Sequence, residues 1–152
     1  MLGRTYDGQH CSAARALEAV GERWSLLIIR DAIFRQTTRF SDFQRNLGIA
    51  PNVLTSRLEH FVETGLMQAR RYSDHHDLRE YVLTPKGLSL QPVIIALTAW
   101  GDHWAAPGGP PVVYVHQGCG GRIHQRLACQ DCDTVPPPAQ VRTRPGPGAR
   151  TT

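Results

Sequence analysis

The sequence predicts an α+β, mainly α fold, a winged helix-turn-helix, and three observations support this prediction. Residues 40–63 have the pattern of two short amphipathic helices around the tight turn Gly48-Ile49-Ala50. Two short β-type runs follow directly, with a few polar residues between them, as in a hairpin. Further helical patterns flank this unit on both sides. We therefore expect a helix-turn-helix with a two-stranded wing, followed by a small C-terminal Cys-rich hairpin appendage.

The composition sets the broad class of the protein. The chain has 152 residues, enough for one compact domain and an appendage or tail. Its formal net charge of +4 and pI near 9.2 permit a nucleic-acid partner without requiring one. Residues 1–10 lack the apolar core of a signal peptide, and no apolar run is long enough to cross a membrane. We expect a soluble, cytoplasmic protein.

The first part of the chain has the periodicity of helices. Residues 12–20 predict a short amphipathic helix that Gly21 ends, and residues 24–34 predict a largely buried helix. The first helix of the helix-turn-helix is expected to begin at Ser41, because Ser41 and Gln44 have the spacing of a capping box.

The second helix of the helix-turn-helix begins at Pro51, a residue that suits the first helical position, and Gly65 closes it. Its apolar side chains have the spacing of a core-facing stripe, and they are Leu54, Leu58, Phe61 and Val62. Its remaining polar side chains are of types that bind base edges and phosphates in a major groove. They are Asn52, Thr55, Ser56, Arg57 and His60. The alternative is that this polar face is simply exposed to solvent.

The predicted wing consists of strands at residues 66–72 and 78–83. Its basic and imidazole side chains could reach a phosphate backbone, where they would set register without reading sequence. An exposed hairpin with charged, protected edges is the alternative. The side chains in question are Arg70, Arg71, His75, His76 and Arg79.

A helix capped by Thr84 follows, and Pro92 is expected to kink or split it. The apolar stripe after Pro92 can be covered by a second subunit or by the first two helices of the same chain. The pattern alone leaves both solutions open. The stripe consists of Val93, Ile94, Leu97, Trp100 and Trp104.

The C-terminal part carries a group of metal-ligand residue types. Strands are predicted at residues 112–115 and 122–128, and residues 136–152, rich in Pro, Gly and Arg, are expected to be disordered. The spacing of these residues is close to that of a short zinc ribbon, in which either His116 or His124 could be the histidine ligand. A redox-active cysteine pair and plain thiols are the alternatives. The proposed zinc ligands are His116, Cys119, Cys129 and Cys132.

Several runs of residues occur in a characteristic order along the chain. They are Cys11, Ala16-Leu17, Gly21-Glu22-Arg23-Trp24-Ser25-Leu26-Leu27-Ile28-Ile29-Arg30, Arg39-Phe40, Gly48-Ile49-Ala50-Pro51-Asn52-Val53-Leu54-Thr55-Ser56-Arg57-Leu58, Gly65-Leu66, Arg79-Glu80-Tyr81-Val82-Leu83-Thr84-Pro85-Lys86-Gly87 and Ala99-Trp100-Gly101. With these runs the chain resembles the HxlR-type winged helix-turn-helix transcriptional regulators of the MarR-like superfamily.

The resemblance implies a homodimer that binds an inverted-repeat operator, with terminal dimerisation helices. The implied division is a flexible arm at 1–10, a DNA-binding and dimerisation domain at 11–106, a cysteine-containing hairpin at 107–135 and a disordered tail at 136–152. The expected DNA-binding residues are Arg39, Pro51, Asn52, Thr55, Ser56, Arg57, Arg70, Arg71, His75, His76 and Arg79.

Cys11 occupies the position at which some members of this family sense oxidants or electrophiles. The positive end of a helix stabilises a thiolate, which is the reactive form of cysteine. A small packed side chain is the alternative reading of Cys11.

The predicted function is therefore a DNA-binding repressor or activator that responds to a small molecule or to an oxidative or electrophile signal. No nucleophile with a matching base stands out, so an enzyme is not expected. The alternatives are a winged-helix module for protein contact without DNA readout and a thiol oxidoreductase that uses Cys129 and Cys132.

Overall fold

The computed structural model describes residues 5–73 and 78–149. Within them the chain forms two compact units, which meet in sequence between Ile94 and Ile95. The elements in chain order are α1 (Ser12–Val20), α2 (Ser25–Phe34), α3 (Phe40–Leu47), α4 (Pro51–Glu63), β1 (Met67–Arg71), β2 (Arg79–Leu83), α5 (Pro85–Leu88), α6 (Gln91–Trp104) and a 3₁₀ turn at Pro138–Gln140.

The core of the first unit is built from α2, α3 and α4, with the start of β1 beneath them. Ile28 and Ile29 from α2, Phe43 from α3 and Leu58 and Phe61 from α4 are fully buried. These residues lie at the helical spacings that the sequence pattern indicated. The mainly helical winged fold predicted from the sequence is confirmed.

The start of α3 differs from the sequence prediction. The helix begins at Phe40, and its N-cap is Arg39 in an extended conformation without a side-chain capping bond. The carbonyl of Arg39 accepts hydrogen bonds from the amides of Asp42 and Phe43, both at 3.1 Å. Arg39 also forms a β-bridge with Glu80, so the chain passes directly from the sheet into the helix. The capping box expected at Ser41 is therefore wrong.

Helix α4 follows the prediction at both ends. Pro51 is at its start, and Gly65 adopts the left-handed backbone (φ of 72°) that ends such helices. Val62 departs from the predicted core stripe because its side chain is 38% exposed. At this end of the helix Leu58 and Phe61 pack into the core, and Val62 lies outside that cluster.

The wing is a two-stranded antiparallel sheet. Its register pairs Met67 with Leu83 and Arg71 with Arg79. The amide of Tyr81 donates to the carbonyl of Thr38 at 2.7 Å, which ties the wing to the segment before α3. The first strand is one residue shorter than predicted at each end and the second is one residue shorter at its start, and the tip lies outside the described residues.

The predicted cap at Thr84 and the break before Pro92 are both present. Thr84 Oγ1 accepts from the amide of Gly87 at 3.2 Å and donates to the carbonyl of Gly65 at 2.6 Å. The short helix α5 ends at Leu88, and α6 begins at Gln91. Proline suits the first turn of a helix and not its interior, which explains why the split falls at this point.

The second unit contains little regular structure after α6. The two strands expected at residues 112–115 and 122–128 are wrong, because only an isolated bridge between Val115 and Arg122 forms there. Val112 and Val113 are 58% and 43% exposed, so these runs have no sheet face to bury. A two-stranded hairpin without such packing is marginal.

No helix among the described residues is long and apolar enough to cross a membrane.

Candidate nucleic-acid interface

One face of α4 presents short polar side chains to solvent. Pro51, Asn52 and Thr55 are exposed, as is Glu59 one turn later. Leu54 and Leu58, fully buried, anchor the opposite face to the core. The helix is thus held rigidly while its polar side chains remain free to contact a partner, as in helices that read a major groove.

Three other predicted contact residues of α4 lie on its flank. Ser56, Arg57 and His60 are partly buried. The Arg57 side chain is only 12% exposed, and its Nη1 lies 3.8 Å from Glu22 Oε1. Its Nη2 donates to Ser56 Oγ at 3.3 Å. Arg57 lies on a different side of the helix from Asn52 and Thr55. Its role as a DNA contact stays a prediction.

The wing carries the predicted cations on its described strands. Arg70 and Arg71 on β1 and Arg79 on β2 are all exposed. The register places Arg71 directly across from Arg79, so two cations lie near the outer end of the hairpin. His75 and His76 lie outside the described residues, so their predicted role is not examined by the structure.

Arg39 lies between α3 and the wing. Its guanidinium carbon stands 4.6 Å from the centre of the Tyr72 ring, a cation–π contact. The Arg39 side chain is exposed, and its backbone bridges to Glu80. The contact with Tyr72 holds this cation beside the arginines of β1.

Cys11 is the N-cap of α1, as the sequence indicated. It is exposed, and its Sγ accepts a hydrogen bond from the amide of Ala14 at 3.4 Å. A sulfur at this place lies at the positive end of the helix, where negative charge is favoured.

The three cysteines of the second unit and His116 fall into two pairs, His116 with Cys119 and Cys129 with Cys132. His116 Nδ1 lies 3.3 Å from Cys119 Sγ. Hydrogen bonds from the Thr134 side chain and backbone, and then from Cys129, lower the pKa of the Cys132 thiol. Within the described ranges, no group of three or more His, Cys, Asp or Glu side chains is gathered around one point.

Helix α6 exposes most of its apolar stripe. Val93, Leu97, Trp100 and Trp104 are 47%, 50%, 64% and 70% exposed, whereas Ile94 is buried. These four residues recur at helical spacing and therefore share one face. A contiguous exposed stripe with two tryptophans is typical of a surface that a partner covers.

Sequence reasoning did not identify the environment of Arg57. Glu22, which approaches its guanidinium, follows Gly21 in the α1–α2 connection. Arg57, His60 and Thr64 repeat along one flank of α4 at helical spacing. That spacing could have indicated that the three side chains share one face of α4. It did not indicate which part of the chain packs against this face.

A family model described as HxlR-like helix-turn-helix matches residues 19–108. An uncharacterised HTH-type transcriptional regulator of Mycobacterium tuberculosis is 42% identical over 148 residues, which cover 97% of this chain and 92% of that protein. The similar proteins are described as regulators of transcription and not as enzymes.

Two solved structures show how far the likeness extends. The crystal structure of PA1607, a proposed transcription factor, is 34% identical, with a TM-score of 0.81 and coverage of 91% of this chain and 97% of that chain. Quinone-bound YodB from B. subtilis is 26% identical, with a TM-score of 0.52 and coverage of 62% of this chain and 100% of that chain. The likeness to PA1607 therefore extends over most of this chain, whereas the likeness to YodB covers less than two thirds of it.

Proposed function

Because the chain belongs to the HxlR-like helix-turn-helix family, we propose that it binds an inverted-repeat DNA operator as a homodimer. It is a DNA-binding transcriptional regulator. The proposal concerns its oligomeric state, the form of its DNA site and the signal that regulates its binding. The observation that carries the proposal is the exposed polar face of α4, anchored to the core by Leu54 and Leu58 beside a cationic wing.

In this proposal α4 lies in the major groove. Asn52 and Thr55 contact base edges, Ser56 contributes from the adjoining flank, and Pro51 brings the start of the helix close to the backbone. An asparagine amide can pair with adenine through two hydrogen bonds, and a hydroxyl can pair with several bases. Base reading is thus assigned to the first turns of α4.

The wing and Arg39 are proposed to hold the phosphate backbone. Arg70, Arg71 and Arg79 lie on the exposed surface of the hairpin, and Arg39 lies beside them against Tyr72. Contacts of this kind position a protein on DNA and account for much of its affinity.

The homodimer is proposed to form through α6. Its stripe of Val93, Leu97, Trp100 and Trp104 leaves large apolar side chains in water in a single chain. Burial of apolar surface contributes about 25 cal/mol per Å², so pairing two such stripes stabilises a dimer. Two-fold pairing also matches an inverted repeat, because the symmetry of the operator mirrors that of the protein.

Cys11 is the proposed sensor of an oxidative or electrophile signal. Its thiol is exposed at the start of α1 and accepts the Ala14 amide. A structural relative, YodB, was solved with a quinone bound, which makes electrophiles the first signal to test. Modification of the Cys11 sulfur would remove its cap on α1 and so alter the helix that leads into the DNA-binding unit.

Zinc binding by His116, Cys119, Cys129 and Cys132 remains a proposal of its own. The structure has these residues as two pairs, so a four-ligand site would require the pairs to come together. Metal content of protein purified without chelator tests it. One equivalent of zinc, lost in Cys119→Ser, supports the site, and zinc-free protein with an unchanged melting curve contradicts it.

The deciding experiment is binding to the DNA upstream of the gene and its divergent neighbour, measured by fluorescence anisotropy at a stated salt concentration. Specific binding is expected, with Asn52→Ala weakened by about 1 to 3 kcal/mol and changed in base preference. Gln125→Ala, an exposed change in the second unit, is the matched control.

A protein that binds all DNA alike would contradict the operator proposal and favour a module for protein contact.

The sensor assignment is tested in the same assay by adding a quinone. Loss of operator binding in the wild type, with Cys11→Ser insensitive, supports the sensor assignment. Equal responses of the two proteins would remove Cys11 from that role.

A further inference from the structure

Residues 116–121 of the second unit form a tight turn that brings two metal-ligand side chains together. The amide of Gly120 donates to the carbonyl of His116 at 2.8 Å, and the amide of His116 donates to the carbonyl of Gly121 at 2.8 Å. Gly120 has a left-handed backbone, with φ of 70°. The turn leaves His116 Nδ1 3.3 Å from Cys119 Sγ, so two donor atoms already lie on the same side of it.

Residues 129–134 form a second turn with the same backbone pattern. The amide of Asp133 donates to the carbonyl of Cys129 at 2.9 Å, and the amide of Cys129 donates to the carbonyl of Thr134 at 2.9 Å. Asp133, the fifth residue of this turn, also has a left-handed backbone, with φ of 54°. Residues other than glycine are uncommon in that region, so the turn holds Asp133 there. Cys129 hydrogen-bonds the thiol of Cys132, which makes this a second pair of donor atoms.

The match between the two turns indicates which histidine belongs to a metal site. His116 and Cys129 are the first residues of their turns, and Cys119 and Cys132 are the fourth. Each turn thus presents its first and fourth side chains as a pair, with the two-residue separation that structural zinc sites use. His124 belongs to neither turn and lines a separate cavity of about 300 Å³ beside α6.

The two turns differ in how the second unit holds them. The first turn is fixed to α6 two residues before it begins, where the Tyr114 hydroxyl lies 3.1 Å from Thr98 Oγ1. Within the described part of the chain, the hydrogen bonds and ion pairs of the second turn all join residues between Arg126 and Thr134. Residues 124–125, which connect these two bodies, are exposed. A change in this linker alone can therefore bring the second turn to the first.

Exposed apolar side chains flank both turns. Val115 and Ile123 lie beside the first turn, and Leu127 and Val135 lie beside the second. Leu127 is the most exposed of the four, at 74%. Apolar surface in water is unfavourable, and turns that meet around one ion would cover part of it.

We propose that the two turns close on one soft divalent metal ion, so that their two side-chain pairs become its four ligands. These ligands are His116, Cys119, Cys129 and Cys132. The inference rests on the proposed zinc binding, and it adds the choice of histidine and the movement of the second turn. Three thiolates and an imidazole suit the tetrahedral structural sites of Zn²⁺. The thiols release their protons to water as they bind, and binding supplies folding free energy to a segment with little core of its own.

The ligand set is tested by titrating the reduced full chain with Co²⁺ as the probe. A tetrahedral Co²⁺ site with thiolate ligands is recognised by its visible absorption and its sulfur charge-transfer band, and Zn²⁺ should displace the Co²⁺. His116→Ala is expected to weaken Co²⁺ binding by about tenfold or more. His124→Ala is the matched control, and its affinity and spectrum should equal those of the wild type.

Closure of the turns is tested by limited digestion with trypsin, with and without Zn²⁺. Arg122 and Arg126 border the linker, and cleavage after both is expected to be lost when the ion binds, because proteases cut exposed, unordered segments. Arg142 in the exposed tail is the internal control and should be cut equally fast in both samples. Cys132→Ser removes a ligand from the second turn and should abolish the protection.

Three results would overturn the closure of the two turns. Protein that binds neither Co²⁺ nor Zn²⁺ would remove the proposed zinc binding as well. A spectrum that depends on His124, or cleavage after Arg122 and Arg126 that persists in the metal-bound protein, would leave zinc binding standing and contradict the closure. Circular dichroism establishes that each variant is folded. If His116→Ala does not fold, His124→Ala and the digestion of the wild type still decide.

Discussion

Gly87 lies where the chain turns from the wing into α5, close to the end of α4. An added Cβ there would overlap the carbonyl oxygen of Leu66 and come within 2.8 Å of Leu83 Cδ2. The Leu66 carbonyl already accepts the amide of Thr84 at 3.0 Å, so it cannot move freely. The absence of a side chain at Gly87 is therefore a packing requirement.

We predict that Gly87→Ala lowers the free energy of unfolding by about 1 to 3 kcal/mol, as overpacked sites do. Chemical denaturation followed by circular dichroism measures this change. Gly108→Ala is the control, because a Cβ at Gly108 meets no atom within 4 Å. Equal stability of the two variants would show that the Leu66 carbonyl gives way.

Cys132 is the thiol of the second unit whose environment favours the thiolate. Hydrogen bonds from the side chain and backbone of Thr134 lower its pKa, and Cys129 adds a smaller contribution in the same direction. A thiolate forms as the pH rises past the pKa, so a lowered pKa brings alkylation to lower pH.

Thr134→Val is expected to raise the pKa of the Cys132 thiol and to move its alkylation by iodoacetamide to higher pH. Mass spectrometry of the peptides distinguishes Cys132 from the other cysteines over a pH series. Thr143→Val, a change of the same type in the exposed tail, should leave the profile unaltered. An unchanged profile for Thr134→Val would mean that the backbone and Cys129 are sufficient.

The elements show where sequence patterns are informative. Leu54, Leu58 and Phe61 of the α4 stripe, Pro51 at the first helical position and the cap at Thr84 were predicted correctly, since each depends on residues close along the chain. The start of α3 was not, because Arg39 is held by Glu80 across the sheet. The C-terminal strands failed for the related reason that β-type runs need a packed face that sequence does not display.

The wing is the element with the clearest electrostatic consequence. Its register puts Arg71 opposite Arg79, so two cations of the wing lie side by side near its outer end. The wing is thus expected to contribute to affinity on any DNA sequence, in contrast to the face of α4.

We predict that Arg71→Ala weakens binding equally for specific and nonspecific duplexes and reduces the slope of log affinity against log salt by about one unit. Anisotropy titrations at several salt concentrations give this slope. Arg126→Ala serves as the control, because Arg126 pairs with Asp133 in the second unit. A change in base preference would instead assign Arg71 to base reading.

The proposed homodimer depends on α6. The stripe that contains Trp100 and Trp104 leaves 64% and 70% of these side chains exposed in a single chain. Aromatic residues at the centre of an interface commonly contribute most of its binding energy.

Trp100→Glu is expected to weaken dimerisation by about 2 kcal/mol or more, because it replaces an aromatic anchor with an unpaired charge. Sedimentation equilibrium measures the association constant. Val135→Glu, at a residue 55% exposed in the second unit, is the control. A wild-type protein that is monomeric at micromolar concentration would contradict the dimer itself.

The sequence by itself determined the family, the helix-turn-helix, the wing and the exposed polar face of α4. Each of these depends on periodicity, capping residues and ordered runs such as Gly21-Glu22-Arg23-Trp24, which are local properties of the chain. Only the tertiary structure decided that Arg57 turns towards Glu22 and that Arg39 starts α3 from the sheet. The physical reason is that these features arise from contacts between segments distant in sequence, whose relative placement the packing of the core sets.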